Sequence, residues 1–123
     1  MTDELDPAHE AFLDGTVEAG VVWGVADADG WAVVPSSDVP DTEVMPFWSD
    51  ESGAQDCCTG PWSGYQPEPI ALDGFLEEWL PGLAADGLQA GVNWSAELEG
   101  IELPPLELQA DLEARILERF ESD

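Results

Sequence analysis

The sequence predicts an α+β fold: one compact domain in which a largely antiparallel sheet of about five strands packs with about three to four helices. Three observations lead there. Uninterrupted apolar runs of strand length lie among segments whose apolar residues recur at helical spacing. The two kinds of segment follow one another without regular strand-helix alternation, which argues against a parallel, doubly wound sheet. A length of 123 residues with 44% hydrophobic content suits one modest core, so residues 1–123 read as a single domain with 1–6 as a flexible N-terminal tail.

Each element has its own warrant. Residues 7–14 place Ala8, Ala11, Phe12 and Leu13 on one side of a short helix, with Asp6 as N-cap before Pro7 and Gly15 as the stop. Residues 21–26 and 31–34 flank Asp27-Ala28-Asp29-Gly30, which is hairpin turn chemistry; neither run alternates, so both faces are expected to be covered. Residues 44–48 form a third strand whose Pro46 argues for an edge or a strand end. Ser49 is placed to cap a short helix reaching Cys58, and a Gly/Pro loop, 59–67, leads to a strand at 69–72. Asp73 then caps a helix with Phe75, Leu76, Trp79, Leu80 and Leu83 in one stripe; Pro81 should kink it and Gly87 should end it in a left-handed conformation. Residues 88–94 alternate like a half-buried strand, and 96–103 can add another. After Pro104-Pro105, residues 106–120 carry Leu108, Leu112, Ile116 and Phe120 four apart, with Asp111 preceding Arg115 by one turn.

Charge is the most unusual property of the chain. It has 28 acidic residues, two arginines and no lysine, for a net charge of -26. Such a chain repels itself in dilute buffer, because folding brings carboxylates within a Debye length of about 10 Å at 0.1 M salt, whereas molar salt shortens that length to about 3 Å. The acids run from Asp3 to Asp123 instead of forming a tail, and six tryptophans accompany them, which excludes wholesale disorder. High salt as solvent, and therefore a halophilic cytoplasm, is the expectation. No segment has the ~20 apolar residues a membrane span needs, and the N-terminus lacks a basic or apolar signal region.

The run Val22-Trp23-Gly24-Val25 with Asp29-Gly30-Trp31-Ala32, then Met45-Pro46-Phe47-Trp48-Ser49, Gly64-Tyr65-Gln66-Pro67 with Ile70-Ala71-Leu72, Phe75-Leu76-Glu77-Glu78-Trp79-Leu80-Pro81, Asp86-Gly87-Leu88 and Gly91-Val92-Asn93-Trp94 resembles the small prokaryotic DUF2750 family. The resemblance spans roughly residues 8–115. It implies a compact α+β domain of about this length, and it brings no catalytic residue, since the family has no assigned function.

Standard chemistry is not supplied by these residue types. One histidine, His9, and the adjacent Cys57 and Cys58 cannot make a zinc or iron-sulfur ligand set, so no metal and no cofactor is expected. His9 reads as a partly exposed helix residue, and the cysteines as reduced, partly buried thiols with no basic neighbour to activate them. Asp27, Asp29 and Gly30 resemble the start of a calcium loop, but Asp38 stands where the bidentate glutamate belongs. There is no Gly-x-Ser-x-Gly and no phosphate loop, and carboxylate pairs such as Glu77 with Glu78 or Asp73 with Glu77 belong to the surface coat. No catalytic residue is assigned. Direct nucleic-acid binding lacks its basic face.

Three readings follow. The first is a non-catalytic interaction or accessory domain that binds a protein partner or a second copy of itself. The alternative is a small-ligand binder or enzyme with an aromatic and carboxylate pocket, for which Trp48, Tyr65 and Trp94 are the first suspects. An acidic nucleic-acid mimic ranks third, because a mimic has no reason to discard lysine from its far side. The candidate contact surface is Trp48, Trp62, Tyr65, Asn93 and Trp94, because the eleven residues between Asp56 and Glu68 carry no charge and neither do residues 87–96. Either Trp62 and Tyr65 tuck back over the sheet, or both segments meet as a gap in the carboxylate coat.

The acid load has a direct test. The melting temperature is expected to rise steeply between about 0.1 M and about 2 M KCl, with near-ultraviolet tryptophan signals sharpening as packing becomes fixed. Thermal scans across that series check it, and an unchanged melting temperature contradicts the salt expectation.

Overall fold

A computed structural model describes residues 7–28, 30–36, 40–58, 62–94 and 101–121, so Asp6, the tail at 1–6, Asp29 and Asp38 lie outside the described residues. Helix α1, Pro7–Ala19, precedes strand β1, Val21–Asp27, and two short strands, β2 at Gly30–Trp31 and β3 at Val34–Pro35. Strand β4, Glu43–Phe47, helix α2, Glu51–Asp56, and strand β5, Gln66–Ala71, follow. Helical segments α3, Leu72–Gly74, a π-helical turn, Phe75–Trp79, and α4, Leu80–Asp86, run on from one another. Strands β6, Gln89–Val92, and β7, Ile101–Leu103, lead to the C-terminal helix α5, Pro105–Glu121. The fold is α+β, as the sequence predicts.

The strands form two sheets, not one: β2-β1-β5, fully antiparallel, and β3-β4-β6-β7, in which β4 and β6 are parallel. The expected hairpin is present, with Ala26 opposite Trp31, but the second apolar run divides at Ala32, and Val34 pairs with Val44 of the other sheet. Pro46 lies in a strand between two neighbours, yet β3 reaches only as far as Val44, so no partner on that side needs the missing N–H of Pro46. Strand β5 starts earlier than expected and includes Pro67 and Pro69; it is an edge strand, where an outward N–H is dispensable.

Several helix ends differ from the sequence expectation for local reasons. Gly15 does not stop α1. A Cβ there would sit 3.0 Å from the Cβ of Ser49, so the glycine admits a close approach, and the helix ends instead at Gly20, whose φ is +73°. Asp50, not Ser49, caps α2 by accepting from the Gly53 N–H at 3.0 Å. Asp73 does not cap the next helix; its carboxylate accepts from Gly74 N–H, and Ala71 holds the cap position without a side-chain bond. Pro81 follows a π turn in which the Leu80 N–H reaches Phe75 O, so the widened turn takes up the disruption a proline causes. Gly87 adopts the expected left-handed conformation, with Leu88 N–H returning to Leu83 O at 2.9 Å.

Packing divides into two centres. The larger gathers Phe12, Leu13, Val22, Phe47, Phe75, Leu80, Leu108 and Leu112 from α1, the sheets and the later helices. The smaller gathers Val25, Val44, Ala54, both cysteines and the indoles of Trp48, Trp62 and Trp94. Between them, Trp23 and Trp48 exchange backbone hydrogen bonds of 2.8 and 2.7 Å, which join the two sheets. No described acidic residue is buried, so the carboxylates form the expected coat over the described surface. Arg115 pairs with Asp14 of α1 and, at 3.6 Å, with Glu118; Asp111 turns instead to His9, so the expected Asp111–Arg115 contact is replaced by links from α5 to α1.

Trp48 is the residue on which this arrangement tests most directly. Its side chain is fully enclosed, so Trp48→Ala is expected to destabilise by about 3–5 kcal/mol, at the upper end of core truncations. Denaturant unfolding in molar KCl measures it; a loss below about 1 kcal/mol contradicts the packing described.

Candidate functional site

The five residues singled out as a contact surface lie close together, with the three tryptophans buried and Tyr65 and Asn93 half-buried. Trp48 is 1% exposed, Trp94 7% and Trp62 8%. The Trp48 indole N–H donates to Trp94 O at 3.0 Å, and the Trp94 indole N–H donates to Ile101 O at 2.8 Å, so both polar ends are satisfied inside. Glycines seat these rings: a Cβ on Gly53 would lie 3.0 Å from the Trp48 ring, and one on Gly91 would lie 2.6 Å from the Trp94 ring. Trp62 meets Tyr65 edge-on at 5.5 Å, and only Tyr65 of the two remains half-buried. The uncharged loop and the uncharged strand therefore meet to close over one another, and large aromatic area outweighs the polarity of the loop around it. Trp48, Trp62 and Trp94 are buried side chains in this conformation.

Asn93 serves as a connector. At φ +47° it turns the chain after β6 so that its side-chain oxygen accepts from the Ser49 N–H at 2.9 Å, while its amide donates to Ser49 Oγ at 3.2 Å. Ser49 is thus bound to Asn93, which explains why Asp50 takes over the helix cap.

The two thiols and the imidazole are equally enclosed. Cys57 and Cys58 are free, buried thiols whose sulfurs approach Trp94 O at 3.7 Å and Ala54 O at 3.4 Å. Burial pushes the Cys58 thiol above its usual pKa, which disfavours the nucleophilic thiolate. His9 is 6% exposed, contrary to the partly exposed position expected, because α5 covers it. Its Nε2 lies 3.1 Å from an Asp111 carboxylate oxygen, outside hydrogen-bonding alignment. No three His, Cys, Asp or Glu side chains converge on a metal-sized centre among the described residues, and no helix among them is long and apolar enough to cross a membrane.

Among the described residues, two open clefts share Leu88. The first, of about 290 Å³, lies between Met45 of β4 and α4, where Trp79 and Leu83 line it and Glu78 and Asp86 carry the charge. The second, of about 280 Å³, runs from Thr42 past Gly87, Leu88 and Gln89 to Pro104, Pro105 and Leu106, and every residue lining it is uncharged. Leu106 is 56% exposed there. Sequence reasoning missed this region because Trp79 and Leu83 belong to the apolar stripe of a helix, whose default place is the core. The available signal was the spacing Glu78, Gly82, Asp86, which puts two carboxylates and a glycine on one helix face.

These features define a small α+β domain with enclosed thiols and aromatics, an acidic coat and two adjoining open clefts. The chain belongs to the family described as a protein of unknown function, DUF2750, whose sequence model matches residues 9–112. No curated protein and no solved structure matches it.

The thiols supply a test with a definite sign. A folded-state pKa raised above the unfolded one gives stability that is present below the ordinary thiol value near 9.0 and lost as pH rises through the folded value. Native protein at pH 8 is therefore expected to alkylate at Cys58 at least about tenfold more slowly than unfolded protein, with stability declining above pH ~9. Mass spectrometry of iodoacetamide time courses checks the first, and chemical melts against pH check the second.

Proposed function

We propose that this chain is a non-catalytic interaction domain of a halophilic cytoplasm that meets a partner protein through the uncharged cleft around Leu88. One observation carries the reading: in a chain with 28 acidic residues, the cleft from Thr42 to Leu106 is lined by none. Contact with the lining itself covers no carboxylate, and burial of Leu88, Pro104 and Leu106 adds apolar area at about 25 cal/mol per Å². The acid coat supports the saline setting, since it keeps the remaining surface hydrated and mutually repulsive.

The alternative, a small-ligand binder or enzyme with an aromatic and carboxylate pocket, has one observation in its favour. The cleft beside Trp79 joins an indole to Glu78 and Asp86. Neither cysteine nor His9 lines this surface groove, so it fits recognition better than reaction.

Two exposed leucines on α5 separate site from surface. Leu106→Glu places a charge in the cleft, whereas Leu117→Glu, at a position 60% exposed, places one on the same helix outside it. Cross-linking and affinity capture from cell extract in molar KCl are expected to lose the bound protein with Leu106→Glu and retain it with Leu117→Glu, both variants melting within about 1 °C of the parent. Equal loss or equal retention in the two variants contradicts the assignment.

A further inference from the structure

Gly82 is not explained by folding. It lies inside α4 without a positive φ, and a Cβ built on it would meet nothing within 4 Å. A helix-interior glycine is destabilising relative to alanine, and here no close contact requires it. What its absent side chain does leave is open space between Glu78 one turn before and Asp86 one turn after, beside the half-exposed indole of Trp79. Carboxylates at both ends of an indole-lined groove are complementary to one chemistry, a planar cation on an apolar stem.

We propose that this groove receives an arginine side chain from the partner protein, with its guanidinium between Glu78 and Asp86, its stem against Trp79, and its apolar neighbours entering the cleft around Leu88. The inference rests on the interaction reading above and names the chemistry that the partner must carry. Charge complementarity selects this occupant over a second copy of the chain. Two surfaces of net charge -26 repel, and the described cationic side chain of this chain, Arg115, is already paired with Asp14 and Glu118. The groove and the uncharged cleft meet at Leu88, so a Leu-Arg-Leu type of segment can place its cation in one and a leucine in the other.

The test uses the full chain in molar KCl, where the Debye length is about 3 Å and general attraction to the acid coat is screened, leaving only contact-distance pairs. The probes are a capped Ala-Leu-Arg-Leu-Ala peptide, the same peptide with glutamine for arginine, and free arginine; binding is read from the Trp79 indole resonance. Saturable binding of the arginine peptide is expected. Gly82→Leu, which fills the groove, and the double change Glu78→Gln with Asp86→Asn, which removes its charge, should each weaken binding at least about tenfold, and so should glutamine in the peptide. Gly82→Ala should raise the melting temperature, which confirms that position 82 tolerates a side chain. No saturable binding, or binding indifferent to the Gly82 and carboxylate variants, overturns the proposal. If such indifferent binding is lost with Leu106→Glu, the cleft reading stands while the arginine groove fails; if Leu106→Glu also changes nothing, both fail. Free arginine binding as tightly as the peptide overturns the protein-partner source in favour of a small-ligand site.

Discussion

Everything in this fold passes through Trp48. Its backbone exchanges two hydrogen bonds with Trp23 and so fastens the four-stranded sheet to the three-stranded one, while its ring fills the smaller packing centre. Its indole N–H then holds Trp94 O, which also receives the Cys57 thiol. Three separate stretches of chain, β1, the end of β4 and the turn after β6, are set by one residue. The glycine seats follow from the same constraint: rings this large reach the backbone only where no Cβ intervenes, as at Gly53 and Gly91, and again at Gly24 beneath Trp31.

Charge acts on this structure from outside. No described carboxylate is buried, so the described acids lie at the surface, where salt screens their mutual repulsion. Among the described residues, Arg115 reaches Asp14 and His9 faces Asp111, and both contacts tie α5 to α1. A surface so uniformly anionic makes its exceptions informative. The uncharged cleft and the groove that combines carboxylates with an indole adjoin at Leu88, along α4 and the start of α5.

The enclosed groups mark what this protein does not offer to solvent. Cys57, Cys58, His9 and Thr16 are buried, and burial holds Cys58 protonated. Thr16 Oγ1 and His9 Nε2 lack hydrogen-bond partners, which places the less satisfied part of the interior under α1 and α5 and not at the clefts.

Much of the architecture was legible in the residues. Apolar period located the helices and most strands, Gly87 and the Asp27–Gly30 turn marked a stop and a hairpin, and the acid count described the coat. Local signals misled where a distant segment outcompeted them. Gly15 is a helix terminator by chemistry, yet Ser49 needs its bare backbone; Ser49 is a cap by chemistry, yet Asn93 binds it; Trp62 and Tyr65 lie in an uncharged loop, yet the Trp48 and Trp94 layer draws them inward. The candidate site was the least legible part, because Glu78, Gly82 and Asp86 become a groove only when Met45 of β4 and Leu88, just before β6, come beside them. The sequence by itself determined composition, period and charge, hence the fold class and the dense acidic surface. The tertiary structure alone decided which aromatics are core and which surface is open, because burial depends on contacts between segments far apart in the chain, and no local pattern encodes those.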